Sequence, residues 1–231
     1  MTLINADCLE VSLPKVNMVL TDLPYGKTAN KRDKVLDMER FWAVIEESCP
    51  DGNIVLFGQD KFTGLLMQHK WHRYNLIWDK VLLSGFLNAN RQPLRGHEDI
   101  CVLYRKKTTY NPQKTPGAKN HSKGRMVKNT NNNYGDFGLM ESDFSGMKFP
   151  TSILKFPKPH PSKCLHPTEK PVDLLEYLIK TYSNEGDLIL DCCMGSGSTG
   201  EACQNTNREF IGIEKYEDTF NIAKKRLWKT Y

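Results

Sequence analysis

Two stretches of this 231-residue chain gather residue types that can do chemistry. The first is NMVLTDLPYGK, residues 17–27, where an apolar run ends in Asp22, Pro24 and Tyr25. Asp and Pro are common turn residues and Tyr packs well, so a plain turn accounts for them equally well when they are read alone. The second is DLILDCCMGSGSTG, residues 187–200, in which Gly195, Gly197 and Gly200 have G-x-G-x-x-G spacing after a strand-like run, and Glu214 ends the next such run. Glycines at that spacing let the backbone approach a ligand, and a carboxylate about 20 residues further on suits ribose hydroxyls. A nucleotide-type ligand is expected there. Asp191 stands just ahead of the glycines, where its charge would repel a pyrophosphate and attract an ammonium group. S-adenosylmethionine carries an ammonium and a sulfonium and no phosphate, which makes it the expected cofactor, bound by Asp191, Gly195, Gly197, Ser198 and Glu214.

The elements that must position these residues alternate. Strand-like runs lie at Leu3 to Asn5, Asn17 to Thr21, Asn53 to Phe57, Tyr74 to Trp78 and Asp99 to Tyr104, rich in Val, Ile, Leu and aromatics. Residues 35–49 place Met38, Phe41, Trp42 and Ile45 at helical spacing before Pro50 and Gly52, and residues 61–69 give a shorter helix. Pro171 reads as the first residue of another helix, with Leu174, Leu175, Leu178, Ile179 and Tyr182 on its buried face. Strand and helix in turn indicate a parallel α/β sheet. Only 31 residues follow Gly200, room for a helix, a strand and a helix, so the remaining strands must come from the N-terminal part. If the strand ending at Glu214 is second, the run before Asp7 lies beside it as third and NMVLT lies beside the first as fourth. Strands one and four flank the point where strand order reverses, and ligands bind outside the carboxyl ends there. Asp22, Pro24 and Tyr25 are then delivered to the rim of the cofactor site.

Composition narrows the class. No apolar run approaches the roughly 20 residues that cross a bilayer, and Met1 is followed by TLIN without signal-peptide character, so a cytoplasmic protein is expected. The seven cysteines include no C-x-x-C pair, so they read as reduced thiols, with neither a disulfide framework nor a metal site. The net charge is +5, but Arg105 to Leu165 holds twelve Lys or Arg against Asp136, Glu141 and Asp143, a local balance of +9 that leaves −4 for the rest. From about residue 106 apolar periodicity also disappears. A basic segment on a mildly acidic body suggests contact with a polyanion. The chain divides accordingly into residues 1–105, an inserted segment 106–165, and residues 166–231.

The order of these motifs carries a resemblance. DLPYG, then a basic variable region, then HPTEKP and LDCCMGSGSTG resemble the amino-group DNA methyltransferases of the permuted β class, over nearly the whole chain except about residues 107–150. The resemblance implies an α/β, Rossmann-like S-adenosylmethionine-dependent methyltransferase sheet in circularly permuted motif order, with an inserted target-recognition region. It implies methyl transfer to adenine N6 or cytosine N4 of double-stranded DNA, adenine being the expected acceptor because the motif begins with Asp. A cognate restriction endonuclease is a possible partner. Leu23 stands where the family has its first proline.

Each residue then has a task. An exocyclic amine is a poor nucleophile because its lone pair is delocalised into the ring. Hydrogen bonds from its N–H groups to Asp22 and to the carbonyl of Leu23 or Pro24 would localise that pair, and Tyr25 can stack on a base that has left the duplex. Catalytic roles are therefore expected for Asp22, Pro24 and Tyr25, with no metal. By resemblance His166, Thr168 and Lys170 lie near the methionine carboxylate, while Asp7 and Cys8 reach the cofactor and Asp22 borders it. His97, next to Glu98 in RGHED, matches a family motif near the target base. Lys119, Lys123, Arg125 and Lys128 of the basic segment, interleaved with Tyr110, Tyr134, Phe137, Phe144, Phe149 and Phe156, are expected to hold DNA. A nucleophilic cysteine of the Pro-Cys type is absent.

Overall fold

Met18–Thr21 are buried on both faces, which is the signature of a strand inside a parallel sheet rather than at its edge. The computed structural model describes residues 1–27, 32–118, 145–158 and 169–228. Its elements in chain order are β1 (Thr2–Asn5), β2 (Met18–Thr21), α1 (Met38–Ser48), β3 (Asn53–Gly58), α2 (Lys61–Met67), β4 (His72–Ser84), β5 (Arg95–Leu103), β6 (Thr115–Pro116), β7 (Met147–Lys148), β8 (Ile153–Lys155), α3 (Val172–Tyr182), β9 (Leu188–Asp191), α4 (Ser198–Asn205), β10 (Glu209–Glu214) and α5 (Glu217–Leu227), with a 3-10 turn at Phe86–Asn88.

Eight strands form one sheet in the order β1-β10-β9-β2-β3-β5-β4-β8. β1, β10, β9, β2 and β3 run parallel, as the inferred placement of strands two, three and four requires. The fully parallel expectation fails beyond β3. β5 is antiparallel to both β3 and β4, because β4 and β5 form a hairpin instead of a helical crossover, and this hairpin also lengthens both strands past their apolar runs.

Helices cover the two faces. Met18, Leu20, Val55 and Phe57 pack with α3, α4 and α5 residues such as Leu178, Ala202 and Leu227. Val19, Ile54 and Leu56 pack on the opposite face with Phe41 and Ile45 of α1 and Phe62 and Leu66 of α2. The alternation along β2 and β3 divides one set of residues between the two cores. All five residues expected on the buried face of α3 are buried. Pro171 is the residue before the helix rather than its first: its φ of −59° suits a helix but its ψ of 131° is extended.

Met1–Asn111 and Ser152–Tyr231 form one compact unit, and Pro112–Thr151 another. Residues up to 111 stay with the first unit because Asn53 donates to the Thr109 carbonyl and Asn111 to the Ser183 carbonyl. Within the second unit β6 and β7 pair antiparallel, and the Lys114 ammonium lies 4.3 Å from the centre of the Phe149 ring.

Candidate active site

β9 and β2 are neighbours, and the residues that follow them line a cleft of about 950 Å³. Asp191 ends β9. Its Oδ1 accepts from the Thr21 hydroxyl of β2 at 2.7 Å and from the Cys193 amide at 3.0 Å. Only 3% of Asp191 is exposed, and burial pushes its carboxyl up to about 6 against the pull of the Thr199 and Thr21 hydroxyls.

Next comes the glycine turn. Gly195 and Gly197 both take positive φ, 53° and 83°, a conformation that glycine adopts without a steric penalty. Gly200 serves packing instead: a β-carbon there would sit 2.6 Å from Leu227 Cδ1 and 2.9 Å from Phe210 Cε1. The loop closes on Glu214, whose two oxygens accept from the Gly195 amide at 3.2 Å and the Tyr216 amide at 2.9 Å. Ser198 begins α4 and lines the cleft. Asp7 and Cys8 line it too. Asp7 pairs with Lys215 at 2.8 Å, which holds its carboxyl below the usual range, and buried Cys8 lies beside Cys192 and Cys193.

Across the cleft, charge replaces backbone. Asp22 leaves β2 with both oxygens engaged: Tyr25 donates its hydroxyl to Oδ1 at 2.6 Å, and the Lys170 ammonium binds Oδ2. Lys170 also lies 3.3 Å from Glu98, whose other oxygen pairs with Lys80 at 2.6 Å. Two carboxylates and two ammonium groups thus alternate, with Lys80, Lys170 and Glu98 largely buried and the Asp22 side chain 26% exposed. Burial pushes the Asp22 carboxyl above the ordinary range; Lys170 opposes that shift and Glu98 adds to it. Burial alone would depress Lys170, but Asp22 and Glu98 reverse the sign and hold it protonated. Glu98 is held low because Lys170 and Lys80 outweigh its own burial.

Several placements differ from the expectations. Lys170 lines the cleft, yet its ammonium is committed to Asp22 and Glu98 rather than left open toward the methionine end. The Tyr25 ring stacks on Phe62, with centroids 5.1 Å apart. His97 is exposed and does not line the cleft, whereas Glu98 does; successive strand residues point to opposite faces, so only one of the pair can turn inward. Leu23 is buried in the core cluster with Val19 and Phe41, which accounts locally for an aliphatic side chain at this position. Pro24 lines the cleft. His166, Thr168, Lys119, Lys123, Arg125, Lys128, Tyr134, Phe137 and Phe144 lie outside the described residues.

Sequence reading passed over Lys80, Glu169 and Arg226. Lys80 had a signal: strand alternation puts it on the face of Leu76 and Trp78, both buried. Glu169, next to Lys170, is held by the Ser196 hydroxyl at 2.9 Å and by Arg226 of α5 at 2.8 Å. No local pattern predicts a contact spanning 57 residues. Among the described residues no group of three or more His, Cys, Asp or Glu is placed to hold a metal ion, and no helix is long and apolar enough to cross a membrane.

A doubly covered α/β sheet with a glycine turn at its switch point, facing a carboxylate on the adjacent strand, defines a cofactor-binding group-transfer fold. Comparison with known proteins then gives the family. The model of the family described as DNA methylase, N6_N4_Mtase, matches residues 16–225, and the chain belongs to that family of amino-group DNA methylases. The chain is 28% identical over 233 residues to the Type II methyltransferase M.HpaI of Haemophilus parainfluenzae, covering 92% of this chain and 68% of that relative. The crystal structure of an M1.HpyAVI–SAM complex superposes with a TM-score of 0.65 at 28% identity, covering 98% of this chain and 99% of that one. The cytosine-N4-specific PvuII DNA methyltransferase shares the fold, with a TM-score of 0.68 at 15% identity over 99% of this chain and 86% of its own.

Proposed function

We propose that this protein transfers the methyl group of S-adenosylmethionine to the N6 amino group of adenine in double-stranded DNA, acting on a base turned out of the duplex. The observation that carries the reading is Asp22: a carboxylate at the end of β2, across one cleft from the Asp191–Glu214 loop. The cofactor fits the donor set. Asp191 suits an ammonium, the Gly195 and Tyr216 amides fix the Glu214 carboxylate beside the glycine turn, where a carboxylate suits ribose hydroxyls, and the cleft has the volume of a small-molecule site. When bound, S-adenosylmethionine supplies a methyl group made electrophilic by its sulfonium.

The rest is done by the chain. The target amine takes the place of one of the two donors now on Asp22, and its own N–H groups point at the carboxylate and at the carbonyl of Leu23 or Pro24. That aims the nitrogen lone pair across the cleft, and holding the two reactants in line supplies much of the rate. The amine must also lose a proton. A carboxyl raised by burial is better matched to accept it than an ordinary one. Glu98, itself paired with Lys80, holds Lys170 from the other side, so the positive charge beside Asp22 stays defined as the donors exchange.

The motif beginning with Asp supports adenine, because in the family this form is most often associated with adenine and the Ser form with cytosine. The resemblance to M.HpaI supports a modification role beside a restriction endonuclease and a cytoplasmic setting. For Lys119, Lys123, Arg125 and Lys128 we propose phosphate contact. Incubation with radiolabelled S-adenosylmethionine and mixed-sequence duplex DNA, followed by digestion to nucleosides and mass separation, tests the reading. N6-methyl-2′-deoxyadenosine is the expected product. N4-methylcytosine alone would overturn the acceptor and keep the chemistry, while no methylated nucleoside would overturn the activity.

A further inference from the structure

The β4–β5 hairpin carries side chains that neither the core nor the cleft uses. Val81, Leu82 and Leu83 are each more than half exposed, Phe86 is 69% exposed, and Leu87 is fully exposed. Protein surfaces scatter apolar residues singly, so five within residues 81–87 form a patch that marks a contact.

The backbone is bent to present them. The register between β4 and β5 shifts between Asp79 and Ser84. Inside that interval Val81 adopts φ 61°, with its amide held by Asp79 Oδ1 at 2.9 Å, and Gly85 turns at φ 92°. A β-branched residue in the left-handed region is strained, and bulges beside active sites re-aim side chains. Here the exposed apolar residues cluster around these two irregularities.

Charge indicates what they meet. Residues 81–97 contain no Asp or Glu, while Arg91 is exposed and Arg95 lines the cleft. The hairpin also grows directly from Lys80 and Glu98, the pair that braces Lys170 against Asp22. A second copy of the chain, docked by a twofold axis, would bring two sets of these arginines into one interface. A polyanion with an apolar interior fits better.

We propose that residues 81–87 are a wedge for duplex DNA: Phe86 and Leu87 enter the base stack and fill the gap left when the target base moves toward Asp22, while Arg91 and Arg95 meet the flanking phosphates. The inference rests on the reading of this chain as a DNA methyltransferase. Filling the gap offsets the unstacking that base extrusion requires.

The test compares the full chain with its Phe86→Ala/Leu87→Ala variant in fluorescence anisotropy, using a labelled mixed-sequence duplex either intact or with one central abasic site. The unaltered protein is expected to bind the abasic duplex about tenfold more tightly, since the gap is already open, and the variant to lose most of that preference. The variant removes no charge, so the slope of log affinity against log salt is expected to stay the same, whereas Arg91→Ala lowers it by about 0.9. The wedge is overturned if the unaltered chain shows no abasic preference or if the variant keeps it. It is also overturned if the substitutions convert a dimer to a monomer in light scattering, which would assign the patch to a second copy. Failure of the unaltered chain to bind either duplex sinks the DNA reading together with the wedge; methylation by a variant that keeps its abasic preference removes the wedge alone.

Discussion

The two walls of the cleft are built from different materials. On the cofactor side Asp191 and Glu214 are held by a hydroxyl and by backbone amides at 2.7 to 3.2 Å, and the turn between them uses the positive φ open to Gly195 and Gly197. On the acceptor side Asp22 sits in a chain of four charges contributed by β2, β4, β5 and the residue before Pro171. A backbone cradle tolerates loss of a side chain locally. A buried charge chain does not, since removing one member leaves its partner unpaired in a poorly solvated place.

Asp22→Ala gives the largest expected effect: methyl transfer falls by about 10³-fold, while equilibrium dialysis finds S-adenosylmethionine affinity nearly unchanged. Parallel loss of both would merge the two walls into one site. Glu98→Ala comes next, because it strands Lys80 and halves the support of Lys170; unfolding in urea is expected to show a loss of about 3 kcal/mol, with most of it recovered in a Lys80→Met/Glu98→Leu double variant. A loss typical of a surface pair would show that the charge chain is solvated after all.

The cofactor wall sharpens the contrast through pH. Asp191 titrates near 6, so it is ionised above that value and neutral below. Affinity for an ammonium ligand is therefore expected to be near full at about pH 7 to 8, about half its full value near pH 6, and to decline by up to about tenfold per unit below that, with Asp191→Asn weak and flat across the range. The same shift has the opposite sign for folding: a carboxyl whose pKa is raised opposes the folded state when ionised, and that opposition is relieved as pH falls from about 6 toward the ordinary 3.8. Isothermal titration and thermal unfolding between pH 5 and 8 separate the two. Lys215→Ala gives the smallest effect. The Asp7–Lys215 pair lies on the rim, with the lysine 60% exposed, and its removal is expected to alter stability by less than about 1 kcal/mol.

The walls also differ in how well the sequence announces them. Asp191, the glycines and Glu214 lie within one strand-turn-helix-strand unit, so local spacing was enough to place them and, with chain length, to seat β1 and β2 beside β10 and β9. Asp22 was legible as a rim residue for the same topological reason. Its neighbours were not. Glu98 reaches Lys170, with Lys80 paired behind it, only because β4 and β5 turn back on each other, and a helix–strand alternation gives no hint of that hairpin. Choosing His97 over Glu98 required a strand phase that RGHED alone does not define. The Lys170 side chain was assigned by motif to one end of the cofactor, whereas its ammonium follows the nearest carboxylates.

The neighbour of β1 is β10, and Asn5 donates to the Glu214 carbonyl across 209 positions of sequence. Thr21 meets Asp191 across 170, and Lys170 meets Asp22 across 148. During synthesis, then, β1 and β2 emerge long before the strands that complete them. Contacts of such separation close late and slowly, and until they form the edges of β1 and β2 remain unpaired templates for aggregation. The two walls also differ in when their residues are made: every member of the acceptor-side charge chain precedes β9, whereas the cofactor wall exists only once β9 and β10 slot between β1 and β2.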